Sequence, residues 1–207
     1  MTYIYMANPN GDMIVYAVIL FVGFVCVYMY FKNSDMLQLK CIVSSVDGNK
    51  YCVRDREKLQ EAADLLAKVT NKCKKLVEYM VEKHPNDTRT KMLNNGFNPK
   101  RIMETLPTSS YTAYSENKGE KIAFCLSPKK KNGEDTLIDE HTLMFVALHE
   151  LTHVCTKEVG HPTVFWENFK FLLENAKESK LHEPKDYNKT PQKYCSMQIN
   201  DNPYYDM

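Results

Sequence analysis

Nineteen consecutive residues without a charge, Met13 to Phe31 (MIVYAVILFVGFVCVYMYF), constrain this chain more than any other stretch. As a helix the run covers roughly 28 Å, close to the thickness of a bilayer's hydrocarbon core. It is apolar on every side, and a helix without a polar face is a poor fit to a soluble surface. The run therefore reads as a single transmembrane helix, with Tyr16, Tyr28 and Tyr30 near its ends as interfacial anchors. A cleaved signal peptide fits less well, because the preceding twelve residues hold Asp12 but no Lys or Arg, and no small-x-small cleavage site follows. A buried core helix is the remaining alternative. Lys32, Lys40, Lys50 and Arg54 follow the span, against Asp12 and the free amine before it. The positive-inside rule then places residues 1–12 outside and the main domain on the cytosolic side.

The seven cysteines, Cys26, Cys41, Cys52, Cys73, Cys125, Cys155 and Cys195, are odd in number and include no CxxC pair. A secreted disulfide framework prefers an even count, so the expectation is mostly free, buried thiols in a reducing space. That agrees with a cytosolic domain, on which the sequons at Asn86 and Asn188 would be chance matches. A net charge of +1 gives no electrostatic case for a specific nucleic-acid partner.

Beyond a linker over residues 32–38, the pattern suggests one domain at 39–185 and an irregular tail at 186–207. Leu39–Ser44 and Lys50–Val53 flank Asp47-Gly48, a hairpin signal. Asp55 can cap a long helix to about Lys83, whose Leu59, Ala62, Leu66, Val69, Cys73, Leu76, Met80 and Val81 form one broad stripe expected to be buried. Short helical pieces are expected near Thr88–Leu93 and Pro99–Leu106. Tyr111–Tyr114 and Lys121–Leu126 read as strands, and Lys129–Gly133 as a solvated basic loop. Asp139 can cap the next helix, which runs into HELTH. Gly160 closes the connection after it, and Pro162 opens a further helix to about Lys180.

HELTH carries the chemistry. His149 and His153 lie four apart, on one helix face a turn from each other. Two imidazoles so placed can reach one Zn2+, and Glu150 between them can serve as general base toward an attacking water. A catalytic zinc takes three protein ligands and keeps one position open. His161 is the favoured third ligand; Glu158, Cys155, Glu167 and Glu174 are rivals. His141 lies more than two turns before His149 and reads as a helix-surface residue. A second electrophile for the transition state could be Tyr187, Tyr194 or His182, though no local motif fixes any of them.

The stretch Val146–His153, then Gly160-His161, then Phe165-Trp166 resembles the WLM-type zinc metalloproteases and their SprT-like relatives. The wider layout, from about Val53 to Cys195, resembles membrane-anchored WLM-like proteins of nucleocytoplasmic large DNA viruses. The resemblance implies an α+β zincin-like fold with a small antiparallel sheet and the HExxH helix beneath a cleft. In such folds an edge strand pairs with extended substrate, a part Lys121–Leu126 could take by its position; an ordinary internal strand is the equal alternative. Phe124 and Tyr194 are accordingly candidate substrate-binding residues. The tail lacks the appendages of cellular WLM proteins, which sets crosslink repair aside.

Two functions follow as expectations. One is a membrane-anchored, zinc-dependent endopeptidase acting on a protein or peptide substrate, packaged in a virus particle. The other is a structural minor capsid protein linking a virion inner membrane to capsid proteins, with catalysis incidental.

Overall fold

In a computed structural model of the chain, residues 9–32, 39–127 and 136–206 are described. Most of the expected linker at 32–38 and the basic loop Lys129–Gly133 lie outside them. The structure divides into two units, one ending at Gln38 and one beginning at Leu39.

In the first unit, helix α1 (Pro9–Lys32) contains the whole apolar run. Every side chain from Met13 to Phe31 is exposed. This helix is long and apolar enough to cross a membrane, a test that a signal sequence near the N-terminus also passes.

The second unit is an α+β fold. Strands β1 (Leu39–Val43) and β2 (Lys50–Arg54) form the expected antiparallel hairpin, with Cys41 opposite Cys52. Its turn needs the left-handed backbone of Gly48, at φ +70°. The Asp47 carboxylate accepts from the Asn49 amide and the Tyr51 hydroxyl. Helix α2 (Leu59–Lys83) buries the expected stripe from Ala62 to Met80, partly against β2; Leu59 is half-buried, and Val81, expected in the same stripe, is exposed. Asp55 does not cap it; its carboxylate pairs with Lys40 at 2.8 Å, and Lys58 holds the cap position. Helix α3 (Thr88–Gly96) is capped by the Asp87 side chain on the Arg89 amide.

The next segment departs from expectation. Pro99–Arg101 is one 3-10 turn, and Ile102–Glu104 is strand β3 rather than helix. Strands β4 (Ala113–Glu116) and β5 (Lys121–Phe124) follow. The sheet order is β1-β2-β3-β5-β4, with β2–β3 and β3–β5 parallel and the outer pairs antiparallel. The sheet is therefore mixed, not antiparallel throughout. The Glu104 carboxylate, fully buried, helps fix the short β2–β3 pairing: it accepts from the Arg54 amide and forms an ion pair with Arg56. A buried charge is tolerated when so paired.

Helix α4 (Glu140–Cys155) is the centre of the unit. The Asp139 carboxylate caps it by accepting from the Thr142 amide at 2.8 Å. It is buried nearly all round because α2, α3, β4 and helix α5 (Thr163–Glu178) pack on different sides of it. Enclosure on all sides explains why its sequence is apolar rather than amphipathic.

Two expectations about the remainder are corrected. The segment 186–207 is not irregular: β6 (Gln192–Tyr194) and β7 (Met197–Ile199) form a hairpin, and helix α6 (Pro203–Asp206) packs on α5. Tyr187, Tyr194, Cys195 and Ile199 join the core. Nor are the cysteines mostly free. Cys41–Cys52 and Cys125–Cys195 are disulfides, leaving Cys26, Cys73 and Cys155 as thiols. The longer pair was not legible because folding, not spacing, brings Cys125 to Cys195 across 70 residues; the shorter one follows from the β1–β2 hairpin, which sets Cys41 opposite Cys52. Cross-links persist in oxidising surroundings, in contrast to the mostly free thiols expected from the odd cysteine count.

Candidate metal centre

Helical spacing puts His149 and His153 on one face of α4, and the loop between α4 and α5 brings in His161. Gly160 makes that turn at φ +82°, where an L side chain is strained. The ligand nitrogens of the three imidazoles all lie within 4.8 Å of one another, and the Nε2 atoms of His149 and His161 are 3.0 Å apart. Two donors on a tetrahedral zinc, each about 2.0–2.1 Å from it, stand about 3.3 Å apart. Three imidazole nitrogens gathered at this spacing are a donor set that fits a zinc ion. Among the described residues no fourth His, Cys, Asp or Glu joins the cluster.

The rivals for third ligand sit elsewhere. Glu158, Glu167 and Glu174 are exposed outside the cluster. The Cys155 thiol is buried, points to the Thr152 carbonyl, and has its pKa pushed up to about 12 by burial.

Phe165, fully buried at the start of α5, supports all three rings. Its centroid lies 4.9, 4.5 and 4.6 Å from those of His149, His153 and His161. Trp166 flanks His161 at 5.7 Å. A second support comes from the β4–β5 turn, Asn117-Lys118-Gly119, whose three residues all have positive φ. It docks on Gly96 and Val154 so closely that a Cβ on Gly119 would lie 2.7 Å from the Gly96 carbonyl oxygen. From this turn the Lys118 ammonium donates to the carbonyls of Thr156 (2.6 Å) and Glu158 (3.1 Å), in the loop that carries His161. Nothing local in the sequence marks Lys118 for this part.

Burial sets the protonation states. It lowers the pKa of His149 to about 3, with help from the neighbouring His153 and His161, and that of His153 to about 4. His161 is lowered for the same reason. All three are thus neutral, lone-pair donors near pH 7. Glu150 is buried, and desolvation alone raises its carboxyl to about 8. A carboxyl tuned toward neutrality suits proton transfer in either direction.

His149, Glu150 and His161 open on a cleft of about 290 Å³. Its walls are Phe145 and Val146 from α4, Trp166 and Phe169 from α5, Thr112 and Ala113 at β4, and residues from Tyr194 to Pro203. Tyr194 lies in this cleft, its hydroxyl donating to the Thr112 carbonyl at 3.2 Å. Phe124 does not line it: β5 is an interior strand and Phe124 is core. The strand at the cleft is β4, which ends the sheet. Tyr187 and His182 are also away from the cleft lining. Tyr187 packs on Phe145, and His182 stacks on His141 at 4.3 Å. His141 itself bonds the Glu183 carbonyl through Nε2.

Comparison with known proteins gives two viral relatives. The chain is 26% identical to an uncharacterized protein of Acanthamoeba polyphaga mimivirus over 192 residues, 91% of this chain and 96% of that protein. It is 38% identical over 63 residues to an uncharacterized protein of Invertebrate iridescent virus 6, covering 30% of this chain and 35% of the other. Both belong to large DNA viruses. This chain fits that origin. No family model matches it, and no solved structure does.

Proposed function

We propose that the chain is a membrane-anchored, zinc-dependent endopeptidase of a large DNA virus, with a zincin-like catalytic domain related to the WLM and SprT-like enzymes. One observation carries the reading: three neutral imidazoles converge beside a buried carboxyl group at the head of a cleft. His149, His153 and His161 hold the ion. Zinc bound there supplies Lewis acidity toward a peptide carbonyl and acidifies a water molecule. Glu150 takes a proton from the attacking water and passes it to the departing amine. The outer edge of β4 offers backbone groups to an extended peptide, in place of the β5 edge that the sequence allows. Tyr194 lines the substrate cleft. A base beside the histidines favours catalysis over a purely structural ion, which needs none.

The helix α1 anchors the domain as a single span. A released particle is an oxidising setting in which both disulfides persist, so the mature protein belongs in the virion, at its inner membrane or capsid. The same two cross-links support a second reading, a minor capsid protein that ties membrane to capsid proteins. Metal analysis and peptide-library cleavage by the full chain separate the two. The peptidase reading expects one zinc per chain and cleavage that Glu150→Gln reduces by at least about a hundredfold. Cleavage unchanged in Glu150→Gln would overturn it.

A further inference from the structure

The cleft is more than an opening onto the metal centre. Beside Glu150 its surface is a recess of Phe145, Val146, Phe169, Met197 and Ile199, contributed by two helices and the C-terminal hairpin. Among the described residues its lining holds no Lys or Arg; its carboxyl groups are Glu150 at its head and Asp201 at its exposed margin. A side chain entering the recess loses its water, which favours an aliphatic or aromatic group and penalises a carboxylate. Asp201 at the margin adds repulsion to that penalty. The cleft as a whole, about 290 Å³, accommodates a large side chain with its adjoining backbone.

We propose that this recess is the specificity pocket of the site, that it takes a large uncharged side chain next to the scissile bond, and that Met197 and Ile199 set its preference. The assignment of a scissile bond rests on the peptidase reading; the apolar selectivity does not. The helical walls are packed into the core, whereas Met197 is half exposed and forms the adjustable wall. Its sulfur lies 3.2 Å from the Thr112 hydroxyl, so the hairpin reaches the start of β4 across the cleft. The Cys125–Cys195 disulfide joins this hairpin to the end of β5. Thioether flexibility at such a position suits recognition of several apolar shapes rather than one.

Trp166 is the only tryptophan in the chain and lines the cleft, so its fluorescence reports occupancy directly. The experiment titrates the full chain in lipid nanodiscs with N-acetyl-leucinamide and, separately, N-acetyl-aspartamide bearing a free side-chain carboxylate. It is run with and without added zinc. The expected result is at least tenfold tighter binding of the leucine compound in both conditions. Met197→Lys should reduce that ratio below threefold, while Val81→Lys, on the exposed side of α2, leaves it unchanged. Equal affinities, no response to either compound, or a Met197→Lys ratio equal to the native one would overturn the proposal. Zinc binding without discrimination removes the pocket and leaves the peptidase reading. Discrimination without zinc binding upholds the pocket and removes the peptidase.

Discussion

At the scale of single residues, the donor set makes the firmest demands. His161 is the one ligand that α4 does not hold. Replacing it with Ala leaves two imidazoles, and zinc affinity should fall by at least about a hundredfold by competition with a chelator. The burial that keeps the histidines neutral also couples them to stability. His149 and His153 have folded pKa values of about 3 and 4, below the 6.5 of an unfolded histidine. The unfolded chain binds more protons in that interval, so the metal-free domain should lose stability as pH falls from about 6.5 toward 4. His182, lowered to about 3 by burial against His141, adds to the same trend. Glu150 has the opposite sign. Its folded value of about 8 exceeds the unfolded 4.5, so its term is stabilising at low pH and is lost between about 4.5 and 8. Denaturant titrations should therefore show a decline from about pH 6.5 to 8 that Glu150→Gln removes. These residues were legible because a helix turns their spacing directly into geometry. Phe165 was visible only as an aromatic position following the motif, and its contact with all three imidazoles needed the fold.

At the scale of elements, legibility followed local information. The β1–β2 hairpin carried its turn chemistry in Asp47-Gly48, and α4 carried its cap in Asp139. Strand β3 offered neither: it is three residues long, and its partners come from distant parts of the chain. The choice between edge and interior for Lys121–Leu126 stayed open for a related reason, and the sheet makes it interior. Strand order is a property of the assembled sheet, and nothing within Lys121–Leu126 tells an interior strand from an outer one. The β4–β5 turn illustrates how an element acts at a distance. Gly119→Ala must push a methyl group into the Gly96 carbonyl and Val154 at φ +101°, and should destabilise the domain by about 2–4 kcal/mol in chemical denaturation. Lys118→Met leaves that packing alone and removes the two bonds to the loop of His161. It should weaken zinc binding about tenfold while changing the unfolding midpoint of the metal-free protein little.

At the scale of the whole molecule, composition set the right class, an α+β unit accompanied by a long apolar helix, but misjudged the cross-links. The chain-entropy model gives the two disulfides unequal weight. Closing 70 residues stabilises by about 4 kcal/mol, and closing 11 by about 3. Cys125→Ser with Cys195→Ser should therefore cost more stability than Cys41→Ser with Cys52→Ser, by about 1.6 kcal/mol in equilibrium unfolding. The first pair should also disturb the C-terminal wall of the cleft, an effect the second pair lacks.

Residues 125 to 195 contain α4, His161 and all of α5. Joined by Cys125–Cys195, they form a covalent macrocycle that encloses every proposed ligand and the base. A peptidase is exposed to its own cuts and to those of its neighbours. One break anywhere in this ring opens the polymer without dividing it, and both pieces remain a single molecule until a reductant arrives.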